Sequence, residues 1–125
     1  MYQNVPYKRV FVTIDLDAIV FNMESMKQNI KPGTEMMGVV KADGYGHGAV
    51  PVAKAMDPYV WGYAAATSEE ALQLRAHGIT KPVLVLSPVH PSEFQELIRE
   101  GIRITVFTRA VSYTHLRAHE TLANL

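Results

Sequence analysis

Lys41 ends an apolar run, Met36 to Val40, and the loop behind it reads "ADGYGHGA", with glycines at 44, 46 and 48. A lysine held among apolar neighbours loses part of the hydration that favours its charged form, so its pKa falls from about 10.4. The neutral amine is then free to condense with a carbonyl as a Schiff base. A surface lysine that merely terminates a strand fits the position equally. Tyr45 stands between two glycines and offers either a hydroxyl donor or a ring packed over the loop. The loop fails as a dinucleotide fingerprint, whose third glycine would fall at the position of Ala49. It keeps a weaker implication. Backbone N–H groups ahead of a helix N-terminus can approach an anion such as a phosphate.

The histidines are less telling. His47 reads as a structural hydrogen-bonder before it reads as a metal ligand, and His77 and His90 as surface residues near loops. His115 and His119, in "HLRAHE", have the i, i+4 spacing of a helical zinc pair. With no cysteine in the chain there is no thiolate metal site and no disulfide framework. No metal site is assigned.

These residues must be positioned by strands and helices. Five short apolar runs stand out: Val10 to Leu16, Met36 to Val40, Val60 to Ala66, Val83 to Ser87 and Ile102 to Phe107. Several are nearly continuous, as expected of strands covered on both faces. Between them lie helical patterns. Ile19, Met23, Met26 and Ile30 fall on one helical face after Asp15. "AVPVAKAM" allows a short helix with Pro51 in its first turn. "TSEEALQLRAHG" predicts a capping box of Thr67 with Glu70, and "SEFQELIREG" predicts one of Ser92 with Gln95. Strand and helix alternate at spacings of roughly 20 to 25 residues, the pattern of βαβ units on a parallel sheet. Four full units and a fifth strand are expected. Periodicity alone leaves a doubly wound sheet and part of an eight-stranded barrel both open. In either, the carboxyl ends of the strands, where Lys41 lies, face the ligand crevice.

The 125 residues carry 12 basic and 12 acidic side chains, a formal net charge of zero. That balance gives no basic footprint for nucleic acid and no cationic face for a membrane surface. No apolar run reaches membrane-spanning length and the first residues lack a signal-peptide core, so a cytoplasmic location is expected.

Val111 to Thr121, "VSYTHLRAHET", resembles the in-frame translation of a sequencing adapter, residue by residue. Residues 110–125 are accordingly expected to be a non-native tail, and the histidine pair within them carries no functional inference.

"VVKADGYGHGA" closely resembles the pyridoxal-phosphate motif of bacterial alanine racemases. "IDLDAIVFN", "TSEEALQLRAHGI" and "PVLVLSP" agree in order and spacing, so the resemblance covers residues 8–107. One departure is Gly44, where the family commonly has alanine, a change expected to loosen the turn. The resemblance implies that residues 1–109 are the truncated N-terminal part of a parallel (β/α)8 TIM-type barrel of the α/β class. It implies that Lys41 is catalytic and joins pyridoxal 5'-phosphate as a Schiff base, that Tyr45 binds the phosphate and that Leu86 packs against the cofactor. The implied reaction interconverts L-alanine and D-alanine, with the second base supplied by a partner subunit of a homodimer. A full barrel takes about 250 residues, so this length of chain is expected to be inactive and poorly soluble alone. A non-catalytic pyridoxal-phosphate carrier, a decarboxylase or broader racemase of the same barrel class, and a generic phosphate-binding domain remain as alternatives.

Overall fold

The computed structural model describes residues 9–123. The first helix, α1 (Leu16–Asn29), begins where Asp15 Oδ1 accepts the Ala18 amide at 3.1 Å, satisfying one of the N–H groups that a helix start leaves open. It stops before Pro32, whose ring disfavours helical geometry at Lys31. Met23 is buried and Ile19 and Ile30 are half-buried, but Met26 remains 48% exposed. The expected apolar face is therefore only partly covered.

No strand forms over Val10 to Leu16, which corrects the expected count. Val10, Phe11 and Val12 are exposed at 90%, 73% and 71%, and Asp15 already caps α1. A β-branched run is a strand only when it has a ladder partner and a surface to pack on; this one has neither among the described residues. Four strands remain: β1 (Met37–Val39), β2 (Gly62–Ala65), β3 (Val83–Val85) and β4 (Ile102–Ile104). They form one sheet in the order β1-β2-β3-β4, every neighbouring pair parallel. Pairing extends past the regular segments, as the longer expected runs require. Trp61 N donates to Met36 O, Val40 N to Ala64 O, and Leu86 N to Ala65 O.

The connections are a single turn α2 (Lys41–Tyr45), then α3 (Ala49–Met56), α4 (Ser68–Ala76), α5 (Phe94–Arg99) and α6 (Arg109–Ala123). The side-chain period of two divides each strand between two faces. One face carries Gly38, Tyr63, Val83 and Ile102, then Val40, Ala65, Val85 and Ile104. It packs on Met23, Val52, Ala53, Leu74, Phe94 and Leu97 to make the core. Gly38 lets this face pack closely: a Cβ there would lie 2.7 Å from Met56 Cε and 3.2 Å from the Tyr63 ring, so the Met56 methyl would have to move aside. The Tyr63 hydroxyl is held between Ala53 O at 2.6 Å and Asp57 Oδ1 at 2.7 Å. The opposite face carries Met37, Val39, Gly62, Ala64, Leu84 and Arg103, with Met37 and Val39 about two-fifths exposed. The continuous apolar runs anticipate cover on both faces; among the described residues helices cover one.

Both capping boxes differ from expectation. Thr67 Oγ1 accepts Glu70 N at 3.3 Å, but the Glu70 carboxylate does not return to Thr67. Its oxygens are taken by two amides outside the helix. Before α5 the box sits one turn early, on the 3-10 turn Pro91–Glu93. His90 Nδ1 accepts Ser92 N at 3.2 Å and Glu93 Oε2 accepts His90 N at 3.1 Å. Pro91 starts that turn early, since its fixed φ suits a first helical position. His90 is thus a cap, not an idle surface histidine. The segment expected to be a non-native tail forms α6, and Val111 and Ala118 pack against the core.

Candidate active site

The register of the sheet brings the sequence-predicted residues to one end. Val39 pairs with Ala64 and Ala64 with Leu84. Two residues further along each strand stand Lys41, Ala66, Leu86 and Thr105, all just past the carboxyl ends of the four strands. Lys41 is half-buried and Leu86 is 39% exposed. They stand two strands apart, about 10 Å at ordinary strand spacing. Ala66, between them in strand order, carries only a methyl group. Thr105, beyond Leu86 on the fourth strand, donates its hydroxyl to Val85 O at 2.8 Å. No ion pair engages Lys41 among the described residues.

Behind Lys41 the backbone reverses hand. Ala42 (φ 51, ψ 49), Asp43 (φ 53, ψ 47) and Gly44 (φ 61, ψ 39) are left-handed, and Tyr45 and Gly46 follow at φ 57 and 82. An L-residue in this region costs roughly 1–2 kcal/mol, so three non-glycine residues in it need support. Hydrogen bonds give it. Gly44 N donates to Val40 O at 2.9 Å, Gly46 N to Ala42 O at 3.0 Å and Gly48 N to Asp43 O at 2.8 Å. The turn brings Tyr45 out to 60% exposure. It also presents the loop to the start of α3, whose own N-cap, Gly48, has no side chain. Asp43 Oδ1 supplies the missing acceptor to Ala49 N at 2.9 Å. Gly44 is buried against that helix start, so it tightens the turn and does not loosen it.

His47 Nδ1 lies 3.1 Å from Tyr45 O, a local bond of the structural kind expected. His77 Nδ1 lies 2.8 Å from Gln73 O at the end of α4. His115 and His119 stack edge-on at 4.9 Å, with His115 also edge-on to Phe94 at 5.3 Å. Burial, with His119 second, pushes the His115 imidazole below its ordinary pKa. Among the described residues no three His, Cys, Asp or Glu side chains gather as metal ligands, and no helix is long and apolar enough to cross a membrane.

Two supporting residues escape a motif-by-motif reading. Asp43 could have been found as an acid in a glycine-rich loop ahead of a helix that lacks its own cap. Glu70 is visible in sequence only as half of a capping box. Its Oε1 accepts Ala42 N at 2.9 Å and its Oε2 accepts Ala66 N at 2.7 Å.

The family model described as "Alanine racemase, N-terminal domain" matches residues 14–123. The chain belongs to that family. It is 43% identical over 100 residues to the alanine racemase of Lactococcus lactis subsp. cremoris (strain SK11), covering 80% of this chain and 27% of that one. It is 44% identical over 104 residues to alanine racemase 2 of Oceanobacillus iheyensis, covering 82% and 26%. The solved alanine racemase of Clostridium difficile 630 in complex with cycloserine superposes with a TM-score of 0.83 at 34% identity, over 86% of this chain and 30% of that one. The chain thus spans about a quarter of the length of the curated relatives it matches. Its four parallel strands and their helices are the N-terminal part of a TIM-type barrel.

Proposed function

We propose that this protein acts as an alanine racemase, with Lys41 as the residue that holds pyridoxal 5'-phosphate and moves a proton at the α-carbon of alanine. The observation that carries this reading is the row Lys41, Ala66 and Leu86 at the carboxyl ends of adjacent strands, with a left-handed, glycine-rich turn behind the amine. The donor set fits the cofactor. The Lys41 amine would hold the aldehyde, Leu86 would pack against the ring beside the small Ala66, and the exposed Tyr45 would offer its hydroxyl to the phosphate. When bound, the group supplies an aldehyde that an amine joins with loss of water, and a ring that withdraws electrons from the substrate carbon.

Lys41 then serves twice, first as the attachment point and afterwards as a base on one face of the α-carbon. Racemisation needs a second base on the other face, which on this reading comes from a partner subunit of a homodimer. Alanine as substrate follows the curated relatives, which bear that name. A cytoplasmic location goes with the same reading.

The test is reduction with borohydride in the presence of pyridoxal phosphate, followed by peptide mapping. A pyridoxyl label on Lys41, lost in Lys41→Arg, is the expected result. A label confined to another lysine would overturn the assignment.

We also read residues 110–125 as foreign to the natural protein, on the codon-by-codon match of Val111 to Thr121 to adapter sequence. Formation of α6 does not weigh against this, because a segment rich in alanine, leucine and arginine favours helix whatever its origin. The gene sequence past Arg109 decides it.

A further inference from the structure

We propose that Glu70 is a positioning residue for the Lys41 amine: its carboxylate ties the backbone just past Lys41 to the end of β2. The inference rests on the Schiff-base reading of Lys41 given above and adds a residue to it.

The β1 ladder ends at Val40, whose amide still pairs with Ala64 O. The next amide but one, Ala42 N, belongs to the first left-handed residue and has no strand to bond. Glu70, 28 residues away in the first turn of α4, accepts it through Oε1 at 2.9 Å. The other oxygen accepts Ala66 N at 2.7 Å, the amide of the residue beside Lys41 in the row. Ala66 O in turn accepts Ser87 N at 3.2 Å, and Ala65 O accepts Leu86 N at 2.9 Å. One carboxylate therefore links the chain just past β1 to the chain just past β2, and backbone bonds carry the connection on to the end of β3, where Leu86 stands.

Helix capping alone does not explain this arrangement. A capping glutamate would return to the Thr67 amide, whereas Glu70 reaches across to a different strand connection. The chemistry also requires a carboxylate. The two amides lie on different Glu70 oxygens, and an ionised glutamate offers acceptors at both. A glutamine in its place would turn an NH2 group towards one of the two amides. The peptide that carries Ala42 N also carries the Lys41 carbonyl, so releasing it frees rotation about Lys41 and lets the amine swing along the row.

The test compares the purified protein with Glu70→Gln, Glu70→Asp, Glu69→Gln and Tyr63→Phe. Glu69, exposed on the same helical turn, controls for the loss of charge at the α4 N-terminus. Tyr63→Phe controls for lost stability away from the site. The first readout is hydrogen exchange at the Ala42 and Ala66 amides without added ligand. The second is the pyridoxyl label trapped on Lys41 across a pH series, per folded molecule. We expect both amides to be protected in the natural sequence. Glu70→Gln should lose that protection at one of them and lower the trapped label by roughly tenfold, the scale of one bond to a charged acceptor. Glu70→Asp, one methylene short, should fall between. Glu69→Gln and Tyr63→Phe should label as the natural sequence does.

Equal labelling of Glu70→Gln and the natural sequence would overturn the proposal. So would open-loop exchange at Ala42 and Ala66 in the natural sequence, which needs no variant to fold. A loss in Tyr63→Phe as large as in Glu70→Gln would do the same, by reducing the effect to stability. Absence of label from Lys41 in the natural sequence would instead overturn the Schiff-base reading, and this inference with it.

Discussion

Replacing Gly44 by alanine should destabilise the protein by more than replacing Gly46, and the difference measures how tightly the left-handed turn is clamped onto α3. Both glycines have positive φ, +61 and +82. Alanine costs roughly 1–2 kcal/mol in that region, offset by about 0.4–1 kcal/mol of unfolded-chain entropy. At Gly46 a Cβ meets nothing within 4 Å, so the backbone cost stands alone, about 0.5–1 kcal/mol net. At Gly44 the same Cβ would lie 3.3 Å from both Ala49 Cα and Ala49 N. Carbon contacts prefer about 3.5–4.0 Å, so the start of α3 must retreat by a few tenths of an ångström. The retreat lengthens the 2.9 Å bond from Ala49 N to Asp43 Oδ1, a cap worth about 1 kcal/mol.

Gly44→Ala should therefore cost about 1.5–2 kcal/mol, a ten- to thirtyfold shift in the folding equilibrium by the usual conversion. Urea denaturation followed by the fluorescence of Trp61, the single tryptophan, reads both variants on one scale. Equal losses would show that the contact with Ala49 carries no weight. A gain in Gly44→Ala would refute the reasoning outright. It would mean that the alanine common in the family at this position sits in the turn without moving the helix.

Asp43→Ala should cost about 1 kcal/mol and speed hydrogen exchange at the Ala49 amide, with exchange elsewhere in α3 less affected. Tyr63→Phe should cost about 1–3 kcal/mol in thermal melts, because it removes the buried hydroxyl bonded to Ala53 O and to the half-exposed Asp57 carboxylate. Burial, then the bond to Asp57, pushes the Tyr63 hydroxyl above its ordinary pKa of 10.0. The unfolded chain gives up that proton first, so stability should fall as pH rises above about 10, and the fall should vanish in Tyr63→Phe. His115 has the opposite window. Its folded pKa is lowered, so the unfolded chain binds the proton more readily. The melting temperature should drop as pH falls from about 6.5 towards the folded value, and His115→Gln should remove the drop.

What the sequence makes legible here is what rests on short-range pattern. The parallel strands β1 to β4 show as the apolar runs 36–40, 60–66, 83–87 and 102–107 that contain them, and α1 shows because Asp15 precedes a periodic stretch. Val10 to Leu16 misleads for a physical reason. Its composition suits a pleated surface, but no run of residues encodes whether a ladder partner will be beside it. The same holds for Glu70. Spacing places it correctly at the start of α4, yet its destination depends on the Ala42 amide, 28 residues away and brought close only by the β1–β2 pairing. The left-handed run is harder still to read. Glycines at 44 and 46 advertise positive φ, whereas Ala42 adopts it without any preference for it and Asp43 with only a modest one.

That last point bears on how the site works. Ala42, Asp43 and Tyr45 each hold a conformation that an isolated peptide would leave, at a combined cost of several kcal/mol. The conformation persists because separate parts of the fold grip it: Val40 O from the strand behind, Asp43 Oδ1 on the start of α3, and Glu70 from α4. Each grip is worth about 1 kcal/mol, so none suffices alone and the loss of one should loosen the others. The direction of the Lys41 side chain is then a property of the β1–β2–α4 assembly more than of the loop that carries it. If Lys41 holds a ligand as proposed, the backbone there is already ordered, so little binding energy would go into arranging it. It is correspondingly sensitive to substitutions that touch neither the lysine nor the ligand.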